Sequence, residues 1–412
     1  MPDVSESESP VSRGRRSADS FGELAGMLAA RTGTDPSDWF PVFKARYGME
    51  VVLRALRTRS GDGDVLTQLF TCCTAVTPVI ASGLEVRYAD VDPSTLSLDP
   101  DLVEGDGPVR AVMLQHTFGL IDGPSSRRLA SAASGMGALL VEDCAHCVAR
   151  MALDEGGRPL ADVSVHSFGV EKMLPTRFGG AVWINPRLAE RDPRLDAAMR
   201  GALTGLKSPS GHLDRVCRIY VNENRVLGRL PGDLGSRMRS WLTRHGWYEP
   251  PIADAEMRGR LPYAPMGMSG WMRERACAGL HGLDGNESVR RGVVGRLRVA
   301  LADVPGISVP AGVLAGEPQP LLRFPLLAAD TESAERLIAS VRARGAYAER
   351  WYRPELFPGV AEPTAFGLDA LDRALVPVSD DMTARCLCLP TDVTGETLEA
   401  MIRAVADGAG NR

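Results

Sequence analysis

Two residues near the middle of the chain could do chemistry together, an acid and an amine. An apolar run from Leu139 ends on Glu142 and Asp143. A second run, Val163 to Phe168, leads into a turn that holds Lys172. In α/β sheets the carboxyl ends of parallel strands carry the chemistry. The spacing therefore predicts that Asp143 points into a cleft and that Lys172 reaches the same edge of the sheet.

Lysine is rare in this chain, which makes Lys172 informative. Of the 47 basic residues, only Lys44, Lys172 and Lys207 are lysines. Arginine replaces lysine wherever only a positive charge is needed, but a guanidinium stays protonated and cannot form an imine. A lysine kept beside the glycine pair Gly179-Gly180 therefore indicates Schiff-base chemistry. A surface lysine left there by chance is the alternative.

The elements that must position these residues alternate between strand and helix. Apolar runs bounded by turn residues predict strands, and an apolar stripe of helical period predicts helices. Alternation of this kind indicates an α/β fold with a mostly parallel sheet. The predicted strands cover residues 65–70, 83–92, 111–114, 139–143, 163–168 and 181–184, and the predicted helices cover residues 21–31, 47–57, 71–80 and 124–135.

The remaining segments suggest a second, smaller domain. At 412 residues the chain fits a large domain and a small one. Residues 1–18 are polar and predicted to be disordered. We predict a large domain over residues 19–270 with an insertion at about 203–262, and a linking helix and small α+β domain over residues 271–412. The linking helix is predicted at 269–302 with a break near Gly285, followed by strands near 321–324 and 385–389 and helices at 333–344 and 397–406.

Composition argues against several classes of function. Apolar residues make up 44% of the chain, charged residues 24%, and the formal net charge is −5, so no basic surplus indicates nucleic acid. No apolar run approaches the roughly 20 residues that span a bilayer, and the N-terminus lacks the order of a secretory signal. We expect a cytoplasmic protein that binds neither nucleic acid nor membrane.

The eight cysteines are predicted to be buried thiols rather than metal ligands. Cys144 and Cys147 have the C-x-x-C spacing, but a zinc site of this kind needs a second such pair. The candidates for that pair, Cys386 and Cys388, have a different spacing. No metal is expected, and redox or metal use by these thiols is the alternative.

Two motifs around the acid and the amine resemble a known family. Ser167-Phe168-Gly169-Val170-Glu171-Lys172, followed by Gly179-Gly180-Ala181-Val182, resembles the S-F-x-x-x-K and G-G-A-V signature of the DegT/DnrJ/EryC1/StrS aminotransferases. Glu142-Asp143-Cys144-Ala145-His146 is similar to that family's E-D-x-A-[QH] segment. The resemblance implies the fold of the fold-type I pyridoxal 5′-phosphate (PLP) enzymes. That fold has a large domain with a mostly parallel seven-stranded sheet, a smaller C-terminal α+β domain, and a homodimer with the active site at its interface.

The resemblance also implies roles for individual residues. Lys172 would hold PLP as an internal aldimine and then move the substrate proton, and Asp143 would pair with the pyridinium nitrogen. Ser167 would bind the phosphate, assisted by the backbone of a helix N-terminus at Ala45, Arg46 and Tyr47. His146 would lie near the phenolic oxygen of the coenzyme.

Three positions are more ambiguous. Cys72 stands where the family has an aromatic ring that stacks on the coenzyme, so either another residue covers that face or the pocket is roomier. His116 lies in a Q-H-T-F-G segment similar to the family's H-x-[YF]-G loop and is either an active-site or a structural histidine. Arg46 either adds charge to the phosphate contact or lies on a solvated helix face.

The implied reaction is ping-pong transamination from an amino-acid donor such as glutamate to a small-molecule keto acceptor. In the family this acceptor is a keto sugar nucleotide or a keto-cyclitol in antibiotic or surface-polysaccharide pathways. The family's G-x-N-x-R segment has no clear counterpart, so other PLP reactions on an amino acid (elimination, replacement or carbon-carbon bond formation) and a non-catalytic regulatory role stay open. Candidates for gripping a substrate acid group are Arg350, Arg353 and Arg385.

Overall fold

A computed structural model describes residues 22–103 and 107–410 of the protein, so the tail predicted to be disordered (1–18) lies outside the described residues. The centre of the fold is a seven-stranded sheet with the order β1-β7-β6-β5-β4-β2-β3. The four neighbouring pairs from β6 to β3 are parallel, whereas β7 runs antiparallel to both of its neighbours, β6 and β1. The strands are β1 (Trp39–Val42), β2 (Asp64–Gln68), β3 (Glu85–Ala89), β4 (Val109–Gln115), β5 (Leu139–Asp143), β6 (Val163–Ser167) and β7 (Gly180–Ile184).

The register of this sheet places polar side chains next to one another at its carboxyl edge. Gln115, the last residue of β4, lies opposite Asp143, the last residue of β5. Asp143 in turn lies opposite Val165, two residues before the end of β6 at Ser167. The predicted α/β class and the mostly parallel seven-stranded sheet are confirmed.

The edge strand β1 was not predicted. The predicted elements leave residues 32–46 without a strand or helix, but Trp39 to Val42 pairs antiparallel with β7. Trp39 lies opposite Trp183, and both side chains are buried. This pairing joins segments more than a hundred residues apart, so no local pattern of four residues could reveal it.

Helices cover both faces of the sheet, and their positions follow the predicted ones. Helix α2 begins two residues earlier than predicted, and a side chain on Gly180 would collide with its first backbone nitrogen, that of Ala45, at 2.8 Å. The glycine pair therefore lets the N-terminus of α2 approach β6 and β7. The helices are α1 (22–32), α2 (Ala45–Ser60), α3 (Cys73–Ser82), α4 (Gly123–Gly135), α5 (Arg187–Arg191) and α6 (Pro193–Thr204).

The segment from residue 203 to 262 forms two further helices and an irregular return. These are α7 (Gly211–Leu227) and α8 (Leu234–Arg244), which are followed by α9 (Gly270–His281) and α10 (Leu283–Leu301). The break predicted near Gly285 is present three residues earlier, because α9 ends at His281 and Gly282 separates it from α10. Gly285 lies within the first turn of α10, where a helix tolerates glycine well.

The C-terminal region has a small antiparallel sheet with the order β10-β9-β8. Its apolar core is separate from that of the large sheet and includes Phe324, Leu326 and Leu387. The domain boundaries remain a prediction. The elements are β8 (Ile307–Ser308), α11 (Ala311–Leu314), β9 (Arg323–Ala328), α12 (Thr331–Ala343), α13 (Pro377–Arg385), β10 (Cys386–Pro390) and α14 (Gly395–Gly410). Among the described residues, every helix is too short or too polar to cross a bilayer.

Candidate active site

A cavity with two connected lobes lies at the carboxyl edge of the large sheet. The inner lobe, about 60 Å³, is lined by the ends of β4, β5 and β6 and by the N-terminus of α2. The outer lobe, about 310 Å³, is lined by the turn around Lys172, by Pro251 and Ile252, and by residues between 347 and 357. Small-molecule sites are usually roughly 300–1,000 Å³. The two lobes together therefore have room for a small ligand.

Most of the residues predicted from the sequence meet in the inner lobe. Its lining includes Ala45, Arg46, Cys72, His116, Asp143, His146, Ser167 and Lys172. Tyr47 does not belong to the lining: its ring is fully buried against Phe43, and its backbone N–H donates to the carbonyl oxygen of Lys44 at 3.0 Å. The predicted contribution of Tyr47 to a phosphate cradle is wrong for this reason.

Asp143 is a buried carboxylate with few partners. Its Oδ1 accepts the Ala145 N–H at 2.9 Å, and within residues 22–103 and 107–410 its side chain makes no other hydrogen bond or ion pair. Burial raises the pKa of Asp143, against the opposing effects of the Ala145 N–H and of Lys172. A cationic ligand in the inner lobe would therefore be stabilised by this group.

Lys172 is the amine of the site and is equally short of partners. In the described part of the chain its Nζ makes no hydrogen bond or ion pair and lies 5.6 Å from the centroid of the Trp351 ring. Burial lowers the pKa of Lys172, although Cys72 and Asp143 act in the opposite direction. A lowered pKa increases the fraction of neutral amine, the form that attacks a carbonyl.

Backbone geometry around Lys172 is unusual. The residues Glu171 and Arg177 both have positive φ, 61° and 73°, in a region that side chains other than glycine seldom adopt. Lys172 N–H donates to the Gly169 carbonyl at 3.3 Å, which closes the turn. The turn therefore holds the lysine over the cavity at the cost of local strain.

The inner lobe also contains donors for an anion. Ala45 and Arg46 form the first turn of α2, where backbone N–H groups have no partner within the helix. Ser167 ends β6 beside them and accepts the Gly169 N–H at 3.3 Å through its hydroxyl oxygen. A helix N-terminus and a hydroxyl at one end, with an acid and an amine elsewhere in the lining, fit the groups of a phosphorylated pyridine aldehyde.

The positive charges at the start of α2 are already neutralised. Lys44 Nζ lies 2.5 Å from Glu249 Oε1, and Arg46 lies 2.5 Å from Glu256 Oε1. Burial would raise the pKa of Glu256, but Arg46 and Lys44 bring it below its usual value. Both acids come from the 203–262 segment. Arg46 therefore does not lie on a solvated face, and its charge is balanced by Glu256. Its predicted contact with a phosphate remains a prediction.

His146 is neutral, and its proton is placed by its neighbours. Nδ1 accepts the Phe118 N–H at 3.1 Å, which leaves the ring proton on Nε2. Burial lowers the pKa of His146 well below its usual range, and the charges of Lys172 and Arg323 add to this effect. The side chain can therefore donate a hydrogen bond from Nε2.

His116 contributes to the cavity wall and is also part of a buried ion pair. Its Nε2 lies 2.7 Å from Glu142 Oε1, and Glu142 also accepts the Ala152 N–H at 2.6 Å. Burial opposes ionisation of both groups. Nevertheless the pKa of His116 is raised by Cys147 and Glu142, and the pKa of Glu142 is lowered by His116. His116 therefore has the structural role expected as its alternative, and it also lines the cavity.

The thiols Cys144 and Cys147 lie within 4.8 Å of His116, each residue offering one ligand atom, and all three side chains are buried. A structural zinc site needs four ligands, and this group supplies three. All eight cysteines are free thiols, and all except Cys72 are buried.

The position of Cys72 is covered by a segment that the sequence did not reveal. Phe357 pairs with Cys72 through the backbone, since its N–H donates to Thr71 O at 2.9 Å and its carbonyl accepts the Cys73 N–H at 3.0 Å. This places Trp351 in a stack with His146 at 5.3 Å between ring centroids. Aromatic surface is therefore supplied from the C-terminal region instead of from residue 72.

Several lining residues were missed. The rarity of lysine could have identified Lys44, whereas nothing in the local sequence distinguishes Tyr352 or Arg177. The arginines proposed for a substrate acid group are engaged elsewhere and do not line the cavity: Arg350 and Arg353 bind Glu335, and Arg385 binds Asp381.

Comparison with known proteins agrees with this geometry. Residues 43–202 match the DegT/DnrJ/EryC1/StrS aminotransferase family. Over 181 residues the chain is 31% identical to the L-glutamine:2-deoxy-scyllo-inosose aminotransferase of Streptomyces kanamyceticus, covering 43% of this chain and 41% of that protein. The matched region thus spans about two fifths of the length of the curated relative.

Solved structures extend the similarity of fold to nearly the whole chain. The aminotransferase TlmJ from Streptoalloteichus hindustanus is 20% identical with a TM-score of 0.64, over 99% of this chain and 98% of that one. A candidate sugar aminotransferase from Streptococcus pneumoniae, solved in a PLP form, is 16% identical with a TM-score of 0.67, over 99% and 97%. The fold is therefore that of the PLP-dependent sugar aminotransferases.

Proposed function

We propose, from the match of residues 43–202 to the DegT/DnrJ/EryC1/StrS aminotransferase family, that this chain is a PLP-dependent aminotransferase. The observation that carries the proposal is that an acid and an amine with few hydrogen-bond or charged partners line the same cavity. Asp143 has a single hydrogen bond and Lys172 Nζ has neither a hydrogen bond nor an ion pair within the described ranges, and both line the inner lobe.

PLP, when bound, supplies a carbonyl for a covalent bond to an amine and a ring that accepts electrons from the substrate carbon. Lys172 would provide the amine and then carry the substrate proton, because its lowered pKa suits both roles. Asp143 would keep the ring nitrogen protonated. Ser167 and the first turn of α2 would hold the phosphate, and His146 Nε2 would donate to the phenolic oxygen.

The substrates that best fit are an amino-acid donor and a ketone of a sugar nucleotide or cyclitol. This part of the proposal follows the matched relative from Streptomyces kanamyceticus, whose name gives L-glutamine and a cyclitol ketone as substrates. The two half-reactions would share the cavity in turn. We also propose a homodimer, which the similarity to this family implies.

The test is the visible absorption spectrum of the protein incubated with PLP. The unchanged chain should show the band of the lysine-bound coenzyme, and L-glutamate or L-glutamine should convert it and release the corresponding keto acid. Lys172→Ala should lose the band and at least about 10³-fold of the activity. Lys207→Ala is the matched control, since Lys207 is exposed.

An unchanged spectrum in Lys172→Ala, or a band in the unchanged chain that no amino acid alters, would contradict transamination. In the second case a product of elimination or replacement would point to another PLP reaction.

A further inference from the structure

The outer lobe is lined by four cationic side chains, and they differ in how their charges are balanced. Lys44 is paired with Glu249 and Arg46 with Glu256, both at 2.5 Å. Tyr263 adds a hydrogen bond to Glu249 Oε2 at 2.8 Å. These two charges are satisfied by the protein itself. The other two cationic side chains of the lobe are those of Lys172 and Arg177.

Arg177 has no such partner. It is half-buried in the cavity wall, and among residues 22–103 and 107–410 its guanidinium makes no hydrogen bond or ion pair. The acids nearest to it in the lining do not satisfy it: Glu171 is exposed and forms no ion pair with it, and Glu349 accepts from Arg342 at 3.4 Å. The lobe therefore holds one guanidinium whose five donors are available.

The backbone at Arg177 supports a role for its side chain. Residue 177 has φ of 73°, a conformation that glycine would adopt with less strain. Its backbone pairs with Gly169, so the position is fixed relative to Lys172. A charged side chain held in a strained conformation, in the wall of the cavity that Lys172 also lines, is the arrangement expected of a ligand-binding residue.

We propose that Arg177 binds the α-carboxylate of the amino-acid donor. This inference rests on the proposed function, because every amino-acid donor carries a carboxylate one bond from the carbon that must react with the Lys172-bound group. A guanidinium binds a carboxylate through two parallel hydrogen bonds and so fixes its orientation as well as its position. Arg177 thereby sets which substrates enter the outer lobe.

The experiment measures binding and reaction separately. Titration calorimetry of the PLP-loaded chain with glutarate, a dicarboxylate without an amine, reports carboxylate binding alone. The dependence of the spectral conversion on L-glutamate concentration reports the donor half-reaction. Arg177→Gln should weaken glutarate binding and raise the half-saturating glutamate concentration about 10- to 100-fold. Arg177→Lys should recover part of both.

Two further variants separate this effect from a change of fold. Arg177→Gly relieves the backbone strain, so it should leave the melting temperature unchanged or higher while it loses glutarate binding like the Gln variant. Arg336→Gln changes an exposed arginine of α12 that pairs with Glu332, and it should match the unchanged chain.

Equal glutarate affinity in the unchanged chain and in Arg177→Gln would overturn the inference, and so would failure of the unchanged chain to bind glutarate. Neither result touches the proposed function, which is judged by the Lys172-dependent band and its conversion. A missing band in the unchanged chain would overturn the proposed function instead.

Discussion

The inner and outer lobes of the cavity are made from different kinds of structure. The inner lobe consists of strand ends and one helix N-terminus, and its reactive groups Asp143 and Lys172 have few partners. The outer lobe consists mainly of loops and segments far apart in sequence. Two of its four cationic side chains, Lys44 and Arg46, form ion pairs with the 203–262 segment, and Arg46 also lines the inner lobe. The comparison teaches that groups with few partners come mostly from the strand ends and the turn after β6, whereas the paired charges depend on a segment distant in sequence.

The largest expected effect concerns the inner lobe. Asp143→Asn keeps the shape of the side chain but removes the charge, so it should slow the donor half-reaction at least about 10³-fold, or about 4 kcal/mol. The melting temperature without coenzyme should stay the same or rise, because the carboxylate is buried with one hydrogen bond. Rapid-mixing spectroscopy measures the rate. A decrease of less than tenfold in this rate would show that the donor half-reaction does not depend on the charge of Asp143.

Removing one charge of a buried ion pair at the outer lobe should lower the stability of the fold. Glu256→Gln leaves Arg46 without its counter-charge in a site where the acid is fully buried, and the free energy of unfolding should fall by about 3 kcal/mol. Glu362→Gln is the control, because its pair with Arg258 is exposed and should contribute less than about 1 kcal/mol. Urea unfolding of the coenzyme-free chain gives both values. Equal losses of unfolding free energy in the two variants would show that the buried ion pair contributes no more to stability than the exposed one.

A smaller effect is expected when the pH is lowered, through a buried histidine of β6. His166 is packed against Trp39 at 5.0 Å between ring centroids, and burial lowers its pKa to about 4. The unfolded chain binds this proton below about pH 6.5 and the folded chain does not, so stability is complete above pH 6.5 and falls as pH decreases. Between pH 6.5 and 5 this group should account for about 2 kcal/mol.

Urea midpoints at the two pH values test this dependence. His166→Phe should reduce the difference between them, whereas His212→Phe, which changes an exposed histidine of α7, should retain it. A full pH dependence in the His166 variant would assign the acid sensitivity to other groups.

Much of the inner lobe followed from the sequence. Asp143, Ser167 and Lys172 belong to or directly follow apolar strands, and a parallel sheet brings such strand ends together whatever the rest of the chain does. The rarity of lysine and the glycine pair Gly179-Gly180 indicated, in addition, that the lysine at this edge forms a Schiff base. Local patterns also sufficed for α1 to α4, α12, α14 and most strands, within a few residues at their ends.

The outer lobe could not be predicted in this way. Glu249, Glu256 and Trp351 reach the site from segments whose own sequence gives no sign of a cavity, and β1 joins the sheet through a pairing with distant β7. The partner of a side chain at long range depends on how loops pack, which is a property of the whole fold.

The sequence by itself determined the strands β2 to β7, the amine and the acid, because the periodicity of strands and the chemistry of lysine act locally. Only the tertiary structure decided which charges are neutralised and which remain free. Arg46 and Arg177 are both arginines that line the same cavity, yet one has a buried acid beside it and the other has no ion pair within the described chain. That difference arises from contacts across some 200 residues, because the acid that pairs with Arg46 comes from a segment distant in sequence.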